Sequence, residues 1–109
     1  MNTETVERVA SLFGALSNPT RILIVREIIK EPLNVTAVTE RLQIGQSSAS
    51  QHLAVLERVG LIKVTRSGTS RIYEVRGPRV AKMVDTAEEF CIVHGLRGVP
   101  DATEMPEDV

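Results

Sequence analysis

The chain has 109 residues, 42% of them hydrophobic and 3% aromatic, with a formal net charge of −1. This length fits one domain with an aliphatic core. No apolar run reaches the roughly 18 residues of a membrane span, and the N-terminus lacks the basic and apolar parts of a signal peptide. A single cysteine, Cys91, fits a reducing compartment. We therefore expect a cytoplasmic protein without membrane contact.

Charged side chains are distributed unevenly. Residues 34–82 hold eight basic and three acidic side chains, a net charge of +5, whereas residues 83–109 carry −6. Because attraction to phosphate is local, a basic segment can bind DNA even in a slightly acidic chain. Any nucleic-acid surface is therefore expected in the central segment.

Two helices are predicted for the first third of the chain. The first begins near Thr3 and repeats apolar residues at helical spacing over residues 6–16. Asn18 as N-cap and Pro19 as first helical residue then start a second helix. This helix is apolar nearly all round, which favours a buried position. Pro32 ends it, because the residue before a proline is pushed out of the helical region.

A helix-turn-helix is predicted next. After a short extended piece at residues 33–35, Thr36 is expected to cap a third helix over residues 37–43. Gly45 takes the N-cap of the fourth helix, and Gly60 supplies the left-handed residue that ends it. Apolar residues at i, i+4 and i+7 predict that one face of the fourth helix packs on a core.

The start of the fourth helix carries short, uncharged hydrogen-bonding side chains. Such side chains suit base edges, and a recognition helix enters the major groove with its N-terminal residues. The candidate DNA-contacting residues are Gln46, Ser47, Ser48, Ser50, Gln51 and His52. The alternative for the set is a solvated polar helix end. Ser48 could instead bind a free N–H at the helix start, and for His52 a half-buried structural role is favoured over base contact.

A β-hairpin is predicted from residues 61–66 and 71–75, because both segments are rich in β-forming residues and a polar loop joins them. Arg66, Thr69 and Arg71 lie at or beside its tip. We expect these three residues to contact phosphate or the minor groove, as a wing beside a recognition helix does.

The last helix is predicted from Pro78 to about His94. Like the first helix, it has more apolar surface than a small core can bury, so we expect both to pack against a second copy in a twofold dimer. Residues 1–95 would then form one DNA-binding and dimerisation domain. Residues 96–109, rich in glycine, proline and acid, are expected to be a flexible acidic tail.

This order of elements resembles the ArsR/SmtB family of winged-helix repressors over about residues 5–95. Residues 15–22 (ALSNPTRI) are similar to the family's L-x-x-P-x-R-hydrophobic motif, and residues 47–53 (SSASQHL) to its S-x-x-S-x-H-L recognition helix. The resemblance implies a mainly α winged helix-turn-helix of order α-α-α-α-β-β-α. It also implies a homodimer that binds a palindromic operator on double-stranded DNA, without a cofactor, and leaves it when an inducer binds. By position, Gln46, Ser47, Ser50 and Gln51 would face the bases.

The family's effector sites have few counterparts in this sequence. Its Cys-x-Cys metal site falls on Asn34 and Thr36, and its zinc site on the last helix falls on residues that ligate metal poorly, namely Gly77, Arg79, Phe90 and Val93. No metal site is therefore assigned. Cys91 and His94 share a helix face, and three alternatives stay open: packing, which is favoured, thiol sensing through an intersubunit disulfide, or metal binding across the dimer. The effector, the operator and the regulated genes stay unassigned.

Two functions compete. The first is a sequence-specific, dimeric transcriptional repressor. The second is a winged helix that binds proteins and no specific DNA, which would favour an apolar or acidic recognition helix, unlike residues 46–51. An enzyme is not expected, because the sequence shows no nucleophile–base–acid grouping and no phosphate-cradling glycine motif.

Overall fold

The computed structural model describes residues 1–96. Its elements are α1 (Thr3–Leu16), α2 (Pro19–Lys30), α3 (Val35–Leu42), α4 (Gln46–Arg58), β1 (Ile62–Ser67), β2 (Ser70–Val75) and α5 (Pro78–Val93). The predicted order of elements is confirmed. Apart from residue 96, the expected acidic tail lies outside the described residues. Among residues 1–96, no helix is both long and apolar enough to cross a membrane.

Asparagine side chains cap the first three helices. Asn2, Asn18 and Asn34 accept hydrogen bonds from backbone N–H groups three residues on, at 2.8, 3.0 and 2.8 Å. Each bond satisfies one of the N–H groups that a helix start leaves unpaired. The prediction for Asn18 is confirmed. The predicted cap at Thr36 is wrong: Asn34 caps α3, which begins at Val35 and not at residue 37.

Two left-handed residues bracket α4. Gln43, with φ 56°, ends α3 and turns the chain towards Gly45, the N-cap of α4. Gly60, with φ +86°, ends α4 as predicted. Beyond it, the N–H of Leu61 donates to the carbonyl of Leu56 at 3.1 Å, the bond that closes a helix end at a left-handed glycine. These turns set where α4 begins and ends.

The core lies between α2, α3, α4 and the base of the hairpin. Its fully buried side chains include Ile24, Val25, Ile28, Val38, Ala49, Leu53, Leu56 and Ile62. Leu33 and Tyr73 exchange backbone hydrogen bonds of 3.0 and 2.8 Å, which join the hairpin to the chain before α3. The predicted buried position of α2 is confirmed by Ile24, Val25 and Ile28, although its apolar surface also extends to Ile22 and Leu23, which are 36% and 49% exposed.

Arg41 of α3 binds two carboxylates of the α2 segment. Its guanidinium lies 2.6 Å from Glu31 and 3.4 Å from Glu27, and Glu27 also binds Lys30 at 2.6 Å. The hydrogen bond from Lys30, together with Arg41, holds the pKa of Glu27 below its usual value. Arg41 was counted with the basic central segment, but carboxylates from outside that segment neutralise it, so the charge available to DNA is smaller than the sequence suggested.

We expect Glu27→Gln to lower the melting temperature at neutral pH and to reduce the loss of stability in acid. Because the pKa of Glu27 is lowered in the folded protein, its ionised form stabilises the fold above the usual value of 4.5, and this contribution disappears as the pH falls through the folded pKa. Thermal melts of parent and variant at pH 7, 5 and 3 measure the difference in melting temperature. Glu4→Gln, which removes an exposed ion pair within α1, is the control. Identical pH profiles in Glu27→Gln and the parent would contradict this account.

Candidate nucleic-acid interface

Helix α4 has one buried and one exposed face. Ala49, Leu53 and Leu56 are fully buried, whereas the polar residues of the first turns are exposed, namely Gln46, Ser47, Ser50 and Gln51. None of these four side chains makes a hydrogen bond within residues 1–96. Their donors and acceptors are therefore available to an external partner, which is the arrangement expected from the sequence.

Ser48 and His52, one turn apart on α4, are half-buried. His52 Nδ1 lies 3.3 Å from Nη1 of Arg21 on α2. This contact engages Nδ1 within the protein and leaves Nε2 as the ring nitrogen open to another partner. The geometry therefore supports the structural role favoured for His52, while DNA contact by either residue stays a prediction.

The start of α4 is open to an anion. Gly45 provides no side-chain cap, so the first N–H groups of the helix keep no side-chain partner among the described residues. Helix N-termini carry partial positive charge and often bind phosphate oxygens. This end of α4 is therefore suited to a DNA backbone phosphate beside the exposed polar face.

The wing is a tight antiparallel hairpin. The register pairs Ser67 with Ser70, so the loop is only Gly68 and Thr69, two residues shorter than the predicted loop over 67–70. Gly68 has φ +63°, a left-handed conformation that glycine adopts without strain and that allows the ladder to continue to the tip. The turn places Thr69, together with Gly68, at the tip of the wing.

Arg66 and Arg71 stand directly opposite each other on β1 and β2, and both are exposed. Like charges opposite each other across a strand pair are destabilising. A polyanion at the tip of the wing would remove this repulsion. The pair therefore favours phosphate as a partner of the wing, although its contact with DNA stays a prediction.

The remaining positive charge lies from the end of α4 onward. Lys63 lies 3.4 Å from Glu74. Within residues 1–96, six cations of the central segment form no ion pair, and these are Arg58, Arg66, Arg71, Arg76, Arg79 and Lys82. They belong to the end of α4, the wing and the start of α5. The number of these charges is evident from the sequence, whereas their ion pairing is evident only from the structure.

Sequence reasoning assigned no role to Arg21. Its Nε donates to the backbone carbonyl of Ala15 at 2.6 Å, and its guanidinium contacts His52. The only sequence signal was an arginine inside the helix-start motif. Its partner on α4 is 31 positions away, beyond the reach of any local pattern.

An apolar groove of about 420 Å³ lies between α1, α2 and α5. Its lining includes Phe13, Leu16, Ile22, Met83, Val84 and Cys91. Phe13 and Phe90 are 63% and 53% exposed, so the expected surplus of apolar surface on the first and last helices is present in the single chain. Water is an unfavourable neighbour for a contiguous surface of this kind.

Cys91 and His94 lie at the end of α5. Cys91 is an exposed free thiol, and the ring of His94 packs against Phe90 with centroids 4.6 Å apart. In the part of the chain that the structure describes, no group of three or more His, Cys, Asp and Glu side chains could hold a metal. Sensing by Cys91, alone or with His94, stays a prediction.

Comparisons with known proteins agree with this geometry. The family described as "Helix-turn-helix domain" matches residues 16–65. The HTH-type transcriptional regulator NmtR of Mycobacterium tuberculosis is 33% identical over 87 residues, which cover 80% of this chain and 72% of that protein. The transcriptional repressor PagR of Bacillus anthracis is 33% identical over 81 residues, 73% of this chain and 81% of PagR.

A solved structure has the same fold. It is the homodimeric winged helix-turn-helix DNA-binding domain (fragment 1–100) of a possible ArsR-family transcriptional regulator from Mycobacterium bovis. The two chains share 26% identity and superpose with a TM-score of 0.79, with 86% of each chain covered.

Proposed function

Because the chain belongs to the ArsR/SmtB family of winged helix-turn-helix transcriptional regulators, we propose that it is a cytoplasmic, homodimeric repressor of a palindromic DNA operator. Residues 1–95 would bind DNA and dimerise. An effector, whose identity the residues do not specify, would release the protein from the operator. Regulation of this kind requires no catalytic step, so the proposal includes no enzymatic activity.

The observation that carries the proposal is the exposed hydrogen-bonding face of α4. Ser47 and Gln51 lie one turn apart on this face, on a helix whose opposite side is fixed in the core. An α-helix fits the major groove, where side-chain amides and hydroxyls can distinguish the base pairs. In this proposal the wing arginines bind the backbone beside the groove, so α4 reads sequence and the wing adds affinity.

Dimerisation is supported by the apolar groove. The groove and the exposed side chains around it would be covered if α1 and α5 packed against the same helices of a second copy. A stable interface of standard size buries about 800 Å² on each partner. Two copies related by a twofold axis would present two α4 helices, which is why we propose a palindromic site.

The alternative is a winged helix that binds a protein through α4. Protein interfaces favour aromatic and apolar residues at their centre, whereas the exposed start of α4 offers serine and glutamine. This chemistry favours DNA. DNA selection experiments separate the two functions, because a protein-binding module would enrich no sequence from random duplexes.

We expect the double change Ser47→Ala and Gln51→Ala to abolish most sequence preference. A random-sequence duplex library selected with the parent protein supplies the specific probe, and a scrambled duplex the nonspecific one. A good base contact contributes about 1–3 kcal/mol of discrimination. Loss of even one such contact should lower the affinity for the selected duplex about tenfold, while the affinity for the scrambled duplex changes little. Fluorescence anisotropy measures both, with Thr36→Ala, an exposed hydroxyl on α3, as control. Unchanged preference would refute base reading by α4.

We expect Arg71→Ala to weaken binding to the selected and scrambled duplexes by similar factors. A variant that has lost one phosphate contact releases fewer counterions when it binds DNA, so its slope of log affinity against log salt should become shallower by about one. Titrations between 50 and 200 mM salt, a range of about fourfold, measure this slope. Arg8→Ala, which removes a cation paired with Glu4 on α1, is the control. Loss of affinity for the selected duplex alone would show that Arg71 reads bases instead.

We expect Phe13→Glu to convert the dimer to a monomer, since it places a charge in the apolar groove that the second copy would cover. Sedimentation equilibrium measures the mass. Thr36→Glu introduces the same charge at an exposed position of α3 and should leave the dimer intact. A monomeric parent, or a Phe13→Glu variant as dimeric as the parent, would exclude this interface.

A further inference from the structure

Arg21 connects the end of α1 to the middle of α4. It is the third residue of α2 and is half-buried. Its Nε donates to the carbonyl oxygen of Ala15 at 2.6 Å, and its Nη1 lies 3.3 Å from His52 Nδ1. One side chain therefore contacts the α1 backbone and the α4 ring at once, from a helix that packs against both.

The chemistry of these contacts defines donor and acceptor. A guanidinium only donates, so a hydrogen bond in this contact requires Nδ1 of His52 to be the acceptor. The carbonyl of Ala15 lies in the last turn of α1, where carbonyl groups have no partner within their own helix. Arg21 thus satisfies a carbonyl at the end of one helix while it orients a ring on another.

Apolar packing decides which face of α4 is buried, but it does not by itself set the rotation of the helix about its axis to the precision that binding requires. Ala49, Leu53 and Leu56 set the depth of the helix in the core, but apolar contacts are not directional. Binding groups must be placed within about 0.5 Å and 10–20° of their productive geometry. The rigid, planar fork of an arginine supplies the missing direction. Since His52 directly follows Gln51, fixing His52 also fixes the backbone from which the Gln51 side chain projects.

We propose that Arg21 is a positioning residue for DNA reading. Through His52 it holds α4 at the rotation in which Ser47 and Gln51 face the base edges. The role rests on the proposed reading of DNA by α4, and Arg21 performs it without contacting a base. A second consequence is that α1, a helix of the proposed dimer interface, is linked to α4 through the Arg21 side chain.

The test is a double-mutant cycle on the ratio of affinities for the selected and scrambled duplexes. Arg21→Met keeps the apolar stem and removes the donors, and His52→Leu keeps the bulk and removes the acceptor. Each change should lower the ratio about tenfold, and the double variant should lose no more than either single one, because both changes break one interaction. Lys30→Met, at the far end of the same helix and paired with Glu27 outside the groove, is the matched control and should leave the ratio unchanged.

A conservative replacement separates positioning from general stability. His52→Asn places an amide oxygen near the position of Nδ1 and should restore the ratio to within about threefold of the parent. Additive losses in the cycle, an Asn variant as poor as the Leu variant, or equal losses on both duplexes would each overturn the positioning role.

Hydrogen exchange in the free protein tests Arg21 independently of DNA. Arg21→Met and His52→Leu should increase exchange about tenfold at the amides of residues 49–53, and should leave residues 24–28 of α2 unchanged. Unchanged exchange in α4 would overturn the proposal. If the parent protein selects no duplex, the proposed function fails, and this exchange pattern alone decides whether Arg21 positions α4.

Discussion

The rest of the structure depends on the burial of one face of α4. Ala49, Leu53 and Leu56 are completely inaccessible to solvent, against a core formed mainly by α2 and α3. A helix fixed in this way must leave its opposite face outside, and here that face carries serine and glutamine. Losing a leucine from such a core costs about 2–5 kcal/mol, a large part of the stability of a small domain. Stability and the proposed recognition of DNA are therefore properties of opposite sides of one helix.

Most of the fold could be predicted because local chemistry agrees with it. Asn18-Pro19 starts a helix and Gly60 ends one for reasons contained in those residues. The start of α3 was misplaced because Asn34 and Thr36 are both good caps. The backbone pairing of Leu33 with Tyr73, a contact between distant parts of the chain, fixes the residues beside Asn34. Likewise, the loop of the wing was predicted too long because a left-handed Gly68 allows the strands to pair up to a two-residue turn.

The candidate site divides in the same way. The exposed face of α4 follows from helical periodicity, so Gln46, Ser47, Ser50 and Gln51 could be chosen from the sequence. Long-range pairs could not, because no spacing reports that Arg41 meets carboxylates of α2 or that Arg21 meets His52. These pairs determine which charges are available and how α4 is oriented. The sequence therefore indicates which surface is the candidate for DNA contact, and the tertiary contacts indicate how that surface is kept in place.

Because Arg66 and Arg71 face each other, dissolved salt should affect the hairpin in two opposite ways, one on its stability and one on its binding. At physiological ionic strength the Debye length is about 8 Å, so mobile ions already weaken electrostatic forces across the tip. Additional salt would ease the mutual repulsion of Arg66 and Arg71 and stabilise the unbound ribbon. The same ions would compete with those guanidinium groups for any polyanion. High ionic strength should therefore stabilise the free hairpin most and weaken its binding to a polyanion most.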